Sequence, residues 1–341
     1  MQWRHAQPLV AQRSVDPHAH DFYLRGLTLL AARSVSEAVG AFQQAVGIDP
    51  DYAQAWAALA EVQALLPAYG PDPAGIAYAN SLESAKHALA LDPSNGLAYV
   101  AQGVVYSNQL RWADADRALR RALALTPGDA EALNQYAQFL GGVGQLKPAL
   151  VEIDRALQRD PLSGISGAIR VQLRLILHRD DADAAAAQIR AIVKAHPDSV
   201  FVHHSAALIY LNLHRYPEAE AQSRAAAALS GINPEIPALL MRGITDPARR
   251  AAAVEALETS PAYASMRRYA TVYALYLIQL GENDRALAVL ADDAANGNTM
   301  FPQLLWFPVL DPIRNDPRFK AVLKKMGLPY TPKDLPVTTA N

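Results

Sequence analysis

The chain has 341 residues, with 31 lysine and arginine residues against 33 aspartate and glutamate residues, and it contains no cysteine. The near balance of charge argues against an electrostatic grip on nucleic acid or anionic lipid, and the lack of cysteine excludes disulfides, thiolate zinc sites and a cysteine nucleophile. No run of apolar residues approaches the ~20 that a membrane span needs, so we expect no membrane insertion of this chain.

Helical segments separated by a recurring proline-centred turn follow a lead-in over residues 1–18. The turn occurs as "GIDPD", "ALDPS", "ALTPG", "QRDPL" and "KAHPD". Its prolines Pro93, Pro127 and Pro161 lie 34 residues apart, and Pro50 precedes Pro93 by that spacing plus an insertion of nine. A period of 34 residues is the spacing of tetratricopeptide repeats, in which each repeat is a pair of helices.

Small and bulky residues recur at fixed positions within each repeat. With the turn proline counted as position 32, positions 8, 20 and 27 hold glycine or alanine, and positions 4 and 24 hold bulky apolar residues. Small side chains are needed where two helices approach closely, and bulky ones fill the gaps between neighbours. The small set is Gly26, Ala60, Gly103, Ala137 and Ala207, then Ala38, Ala115, Ala149 and Ala219, then Ala45, Ala88, Ala122, Ala156 and Ala226; the bulky set is Phe22, Trp56, Tyr99 and Leu133, then Phe42, Leu119 and Ile153.

Each proline turn ends one helix pair and starts the next. Proline lacks an amide donor and disfavours helix in the residue before it, and a polar residue after it caps the following helix. We expect these caps at Asp51, Ser94, Asp129, Ser163 and Asp198. Because one helix pair cannot bury its apolar face alone, neighbouring pairs must stack. The sequence therefore predicts an all-α fold, a right-handed superhelical solenoid of stacked antiparallel helix pairs.

Six repeats can be identified in residues 19–234, and the repeat spacing becomes irregular after residue 234. Residues 235–300 keep helical periodicity and are interpreted as degenerate repeats. Residues 301–330 are predicted to form a C-terminal cap, because Asp316 before a proline is a helix-start signal, and residues 331–341 are a tail. The six repeats are 19–52, 53–95, 96–129, 130–163, 164–199 and 200–234.

Residues 19–330 resemble a bacterial group of tetratricopeptide regions. The resemblance lies in residues 21–70, in residues 81–106 and, most specifically, in the ending "LDPIRNDPRFKAVLKKMGLP". In that group the array commonly forms the C-terminal part of a longer protein, downstream of a winged-helix transcription regulator, a nucleotide cyclase or a protein kinase. The resemblance implies either a stand-alone member or a piece of a larger regulator.

The sequence contains no constellation of catalytic residues. Two histidine clusters, "HAHD" at 18–21 and "HPDSVFVHH" at 196–204, lack a carboxylate or cysteine partner at helical ligand spacing. The triplet "HRD" at 178–180 matches part of a kinase catalytic loop but lacks the other kinase motifs. No P-loop, G-x-G-x-x-G or G-x-S-x-G motif is present. We therefore expect no enzymatic activity, no metal site and no cofactor.

The concave wall of the predicted solenoid is the candidate binding surface. It is lined by positions 2, 5, 9 and 12 of each first helix, with the neighbouring positions 6 and 13. Amide side chains in its middle offer both a donor and an acceptor, which suits the backbone of an extended peptide. The alternative is that these side chains pack between adjacent first helices. The candidate partner-binding residues are Tyr23, Leu27, Val100, Val104, Asn108, Asn134, Gln138, Gln172, His204 and Tyr69, and Asn212 completes the line.

The insertion "PAYGPDPAGIAYAN" at 67–80 combines prolines and glycines with Tyr69 and Tyr78. We interpret it as an ordered loop between the helices of the second repeat. Such a loop either binds a partner or covers the seam left by a longer helix pair, and the second interpretation is slightly favoured.

The sequence favours a non-catalytic scaffold that binds a protein or an extended peptide and does not bind nucleic acid directly. The alternative is a sensory or regulatory arm of a bacterial signalling protein, which binds a small ligand or its own effector domain. We expect a cytoplasmic location, or a periplasmic one if the chain derives from a membrane-anchored regulator. The oligomeric state stays open.

Overall fold

A computed structural model describes residues 14–32, 34–69, 74–178, 181–260, 263, 267, 269–297 and 299–330. These residues form α-helices joined by turns and short 3₁₀ segments, and no β-strand is found among them. The helices are α1 Pro17–Ala31, α2 Val35–Ile48, α3 Ala53–Tyr69, α4 Ala74–Leu91, α5 Gly96–Asn108, α6 Trp112–Leu125, α7 Ala130–Gly142, α8 Leu146–Arg159, α9 Gly164–Ile176, α10 Ala182–Ala195, α11 Val200–Asn212, α12 Tyr216–Leu229, α13 Glu235–Thr245, α14 Arg250–Thr259, α15 Ala270–Gln279, α16 Asn283–Asn296, α17 Asp311–Arg314 and α18 Pro317–Lys325.

Helices adjacent in the chain pair with one another, as α1 does with α2, α3 with α4, α7 with α8 and α15 with α16. Each pair also contacts the next, as α8 does with α9 and α12 with α13. The predicted all-α fold is confirmed: this is a helical-repeat fold of the solenoid type.

The recurring small residues lie where the helices of a pair touch. All four alanines at position 20 are completely buried. Gly26 of α1 faces the ring of Phe42 of α2, and a Cβ atom on Gly26 would lie 2.5 Å from Cε1 of that ring. Gly103 faces Leu119 in the same way. A larger side chain at these positions would separate the two helices, as the sequence predicted.

The aspartate that precedes the proline holds the recurring turn together. Its carboxylate accepts the backbone N–H two residues further on, which closes an Asx turn and prepares the start of the next helix. Three turns use this contact, at 2.9 to 3.2 Å: Asp49 with Asp51, Asp92 with Ser94, and Asp160 with Leu162.

Two of the predicted helix caps are observed and two lie one residue later than predicted. Asp129 accepts from Ala132 N at 2.7 Å, and Ser163 accepts from Ser166 N at 3.2 Å. At α5 and α11 the caps are Asn95 and Ser199 instead of Ser94 and Asp198. The capping side chain must directly precede the first helical residue, since only there does its oxygen reach the free N–H groups.

The first helix begins inside the predicted lead-in. The Asp16 side chain accepts from His18 N at 2.8 Å and from Ala19 N at 3.2 Å. Pro17 takes the first helical position, where a missing donor has no cost. Helical structure therefore starts at residue 17 and not at residue 19.

The insertion lengthens the second helix pair instead of forming a loop over residues 67–80. Helix α3 continues to Tyr69 with Pro67 in its last turn, and α4 begins at Ala74. Residues 70–73 lie outside the described residues. Tyr78 is 1% exposed, so its ring is used in packing.

The chain divides into two compact units, Met1–Ala101 and Gln102–Asn341, called unit 1 and unit 2 below. The core of unit 1 includes Phe42, Leu59 and Val62. The larger core of unit 2 includes residues far along the chain, among them Trp306 and Phe307. No helix in the described part of the chain has the length and apolar character to cross a membrane.

Candidate partner-binding faces

An exposed stripe runs along α1 in unit 1. Its members are four, three and four residues apart, which places them on one face of the helix. The opposite face of α1 is buried at Ala19 and Gly26. The members are His20, Leu24, Leu27 and Ala31, called the α1 stripe below. Leu24 is 47% and Leu27 is 37% exposed, so the stripe presents two large aliphatic side chains to solvent.

A cluster of rings supports the stripe from below. The ring centroid of Tyr23 lies 5.2 Å from that of Tyr52 and 5.9 Å from that of Phe42. The Tyr52 hydroxyl lies 3.0 Å from Nδ1 of His20. Burial raises the pKa of Tyr23, and the nearby charge of Glu61 raises that pKa further. Both observations indicate a packed aromatic base with a carboxylate beside it.

Unit 1 contains more carboxylates than basic side chains. Residues 14–32, 34–69 and 74–101 contain eight carboxylate side chains and two basic side chains, Arg25 and Lys86. Lys86 Nζ lies 3.3 Å from Oε1 of Glu83. Over its whole sequence, residues 1–101, unit 1 has nine carboxylates and five basic side chains.

In unit 2 the C-terminal residues lie along the ends of the first helices. Residues 299–310, called the C-terminal segment below, consist of two 3₁₀ turns joined at Phe307. The segment is bonded to the last residues of α5, α7 and α11, which are positions 12 and 13 of the predicted wall. The bonds are Thr299 N to Asn108 O at 2.8 Å, Trp306 Nε1 to Gly141 O at 2.8 Å, and Val309 N to Asn212 Oδ1 at 3.1 Å.

The C-terminal segment is part of the core of unit 2. Leu305 and Phe307 are fully buried, and Trp306 is 1% exposed. Gly142 leaves room for Pro302, since a Cβ atom on Gly142 would lie 2.8 Å from Cγ of that proline. This end of the wall is therefore covered by the chain itself.

Three of the predicted binding residues are buried and present little surface to a partner. Val100 is 2% exposed in unit 1, and Asn134 and Gln172 are 3% and 5% exposed in unit 2. Adjacent first helices such as α7 and α9, which carry these two amides, are in contact with each other. Asn134 Oδ1 is buried without a hydrogen-bond partner. For these positions the structure favours the alternative of packing between first helices.

Other predicted residues of unit 2 keep some exposure. Gln138 is half-buried, and its Nε2 lies 3.5 Å from Oε1 of Gln135. His204 is exposed. Val104 and Asn108 are half-buried. The side chain of Tyr69 lies outside the described part of the structure.

The sequence did not single out Leu24, and it predicted a C-terminal cap at 301–330 without the path of its first residues along the first helices. The only sequence signal for Leu24 is its place on the stripe, three residues before Leu27. The path of the segment has no local signal, because it depends on contacts with helices more than a hundred residues away.

The histidine clusters have structural explanations where the structure describes them. His203 Nδ1 lies 2.7 Å from Gln222 Oε1, and its Nε2 lies 2.8 Å from Pro197 O. Over the described residues, no group of three or more histidine, aspartate or glutamate side chains could hold a metal ion. Two of the three residues in the "HRD" triplet, 179 and 180, lie outside the described residues.

Comparison with solved structures supports the repeat fold. The chain is similar to yeast Tom70, with 17% identity and a TM-score of 0.50 over 93% of this chain and 69% of that chain. It is also similar to human IFIT1, in a dimer with m7Gppp-AAAA, with 15% identity and a TM-score of 0.56 over 82% of this chain and 72% of that chain. These neighbours are tetratricopeptide-repeat proteins, and at such identities the likeness shows the fold alone. No family model matches the chain, and no curated protein matches it by sequence.

Proposed function

We propose that the chain is a non-catalytic scaffold that binds a peptide segment of a partner protein. The observation that carries the proposal is the seating of the C-terminal segment on the first helices of unit 2. There the amide of Asn212 accepts the backbone N–H of Val309 at 3.1 Å. This is the kind of contact by which side-chain amides hold the backbone of a bound peptide.

The surfaces that we assign to a partner are those the C-terminal segment leaves exposed. In unit 2 they include Gln138 and the exposed His204, with Val104 and Asn108 beside the segment. In unit 1 they are Tyr23 and Leu27, together with the rest of the α1 stripe. Asn134 and Gln172 are assigned to packing, and Val100 to the interior of unit 1.

We propose that the partner is a protein and not a nucleic acid. The structure of IFIT1 to which this chain is similar contains m7Gppp-AAAA. In this chain, however, unit 1 has an excess of carboxylates, and a polyanion would be repelled by it. A direct measurement with single-stranded RNA separates the two possibilities.

The alternative proposal is a regulatory arm of a bacterial signalling protein, such as a transcription regulator or a cyclase, that responds to a small ligand or its own effector domain. The observation that favours it is the ending at residues 310–329, which forms α17 and α18 and bonds back to α6 through Trp112 Nε1 and Met326 O at 2.7 Å. We propose a cytoplasmic location, or a periplasmic one under this alternative. An effector domain encoded in the same reading frame would favour the alternative.

The test is capture followed by mapping. The purified chain is immobilised, captured proteins are identified by mass spectrometry, and each is purified and titrated by calorimetry. Overlapping peptides that cover the partner are then measured, and we expect one linear segment to retain binding. Saturable binding of single-stranded RNA with no protein partner would contradict the proposal, and so would a partner for which no linear segment binds.

A further inference from the structure

We propose that Asn296, the last residue of α16, is a site of spontaneous deamidation, and that its conversion to isoaspartate loosens the start of the C-terminal segment. The inference goes beyond the proposed scaffold function and does not depend on it. It follows from the chemistry of the Asn-Gly dipeptide, from the exposure of residues 296 and 297, and from the short link between α16 and the buried Thr299.

The reaction needs only the chain and water. The backbone nitrogen of Gly297 attacks Cγ of the Asn296 side chain and gives up its proton to solvent. The Cγ–Nδ2 bond breaks, and the nitrogen takes up a proton and leaves as ammonia. Water then opens the cyclic imide at either carbonyl, which gives aspartate or isoaspartate. Because glycine has no Cβ atom, it hinders the attack less than any other residue would.

The sequence contains two Asn-Gly dipeptides, and their surroundings differ. Asn95 caps α5, since its Oδ1 accepts the backbone N–H of Ala98 at 3.1 Å, and Gly96 is buried. The attack at Asn95 would therefore break a helix cap and move a buried backbone. In contrast, both residues of the second dipeptide, at 296 and 297, are exposed.

The position of Asn296 at the end of α16 makes the required motion small. Inside a helix the side-chain carbon cannot reach the next backbone nitrogen, so the residue must leave the helix before it reacts. Helix ends fray, because their last carbonyl groups lack partners within the helix. Gly297 already has a left-handed backbone, with φ 65° and ψ 30°. The Asn296 amide donates to Oδ2 of Asp292 at 3.1 Å, an exposed contact that water can replace.

Deamidation would change both the charge and the length of the link after α16. A carboxylate at position 296 would lie beside Asp292, at the helix end where the dipole disfavours negative charge. Isoaspartate also adds one carbon atom to the main chain. Only residues 297 and 298 separate this position from Thr299, which is 1% exposed and donates its backbone N–H to Asn108 O at 2.8 Å. We therefore expect the longer link to weaken that hydrogen bond.

The first test follows the reaction by mass spectrometry. The full chain is incubated at mildly alkaline pH and digested, and fragment ions assign the mass gain of an amide-to-acid change to single residues. In the folded chain Asn296 should convert about fivefold or more faster than Asn95, which needs only a small difference between two barriers. In concentrated guanidinium, where both dipeptides are unfolded, the two rates should be similar. No conversion at Asn296, or the same ratio of rates in the folded and unfolded chain, would overturn the inference.

Hydrogen exchange tests the structural consequence. After conversion at position 296, the amide of Thr299 should exchange about threefold or more faster than in the fresh chain. The matched control is Asn296→Gln, which keeps an amide but forms the cyclic imide far more slowly, and its exchange should not change during the same incubation. Asn296→Asp adds the carboxylate without the extra carbon, so it should accelerate exchange by a smaller factor. Unchanged exchange at Thr299 in converted protein, or equal acceleration in the incubated glutamine variant, would refute the proposed loosening.

Discussion

The indole N–H of Trp306 donates a hydrogen bond to the carbonyl oxygen of Gly141 at 2.8 Å, between residues that are 165 positions apart. Both groups are buried in unit 2, and Trp306 is among its largest fully buried side chains. The bond joins the C-terminal segment to the end of α7, where the helix has free carbonyl groups to satisfy. This contact therefore makes the C-terminal residues a structural part of unit 2.

Replacing Trp306 with phenylalanine should lower the free energy of unfolding by about 1–2 kcal/mol, because one buried hydrogen bond is lost and the smaller ring leaves unfilled space. The Gly141 carbonyl keeps the hydrogen bond from Gly144 N at 3.1 Å. Urea unfolding followed by circular dichroism measures the change. The matched control is Trp56→Phe, whose lost bond to Pro50 O, 2.7 Å long, lies at an exposed position. The control should lose less stability, because water can replace the indole N–H as the donor at an exposed carbonyl. Equal losses of stability in the two variants would contradict the prediction.

Gly26→Ala should destabilise unit 1 by about 1–3 kcal/mol, because the new methyl group would overlap the ring of Phe42. A Cβ atom there would lie 2.5 Å from the ring. Gly40→Ala in α2 is the control, since nothing lies within 4 Å of a Cβ atom at that glycine. Alanine should stabilise that helix by up to about 1 kcal/mol. Thermal unfolding of both variants compares their stabilities. Similar changes in stability at the two sites would show that the close contact between Gly26 and Phe42 does not affect stability.

The turn between the first and second helix of a repeat contains a residue with a left-handed backbone. Gly144 has φ 76° and His178, 34 residues later, has φ 51°. Gly144→Ala should cost about 1–2 kcal/mol, because a Cβ atom is strained in this conformation. His178→Gly should be neutral or stabilising by up to about 1 kcal/mol, since relief of strain is opposed by the greater freedom of glycine in the unfolded chain. Chemical unfolding of both variants measures the two changes in the free energy of unfolding. A large loss of stability in His178→Gly would contradict the prediction and would mean that the histidine side chain makes a stabilising contact.

Stability should fall as the pH rises from about 4 to about 6, through the carboxyl group of Asp293. Burial raises the pKa of Asp293 from its ordinary 3.8 to about 6, and the charge of Asp292 adds to the rise. In that pH range the folded chain binds more protons at this group than the unfolded chain does, so each step towards higher pH favours unfolding.

Asp293→Asn should remove this step, because an amide does not titrate. The free energy of unfolding of both proteins is measured in urea at several pH values between about 4 and 7, and the difference between them isolates the group. The unchanged chain should lose stability relative to the variant as the pH rises. A constant difference across the range would exclude Asp293 as the source.

The repeat architecture could be predicted from the sequence because its signals are local and periodic. Prolines 34 residues apart stop helices wherever they occur, and glycine or alanine at positions 8, 20 and 27 allows helices close in sequence to touch. Tyr23 and Leu27 could be placed on one face of α1 for the same reason, since the helical period alone decides which residues share a face.

Only the tertiary structure decided which of the candidate side chains remain accessible. The same helical period places Asn134 and His204 at equivalent positions, yet Asn134 is 3% exposed and His204 is exposed. The difference arises from how closely neighbouring first helices pack, and that distance is set by many side chains at once. The path of the C-terminal segment is likewise decided by tertiary contacts. The contacts of Trp306 with Gly141 and of Val309 with Asn212 join residues 165 and 97 positions apart, and no periodic pattern within the sequence encodes such a meeting.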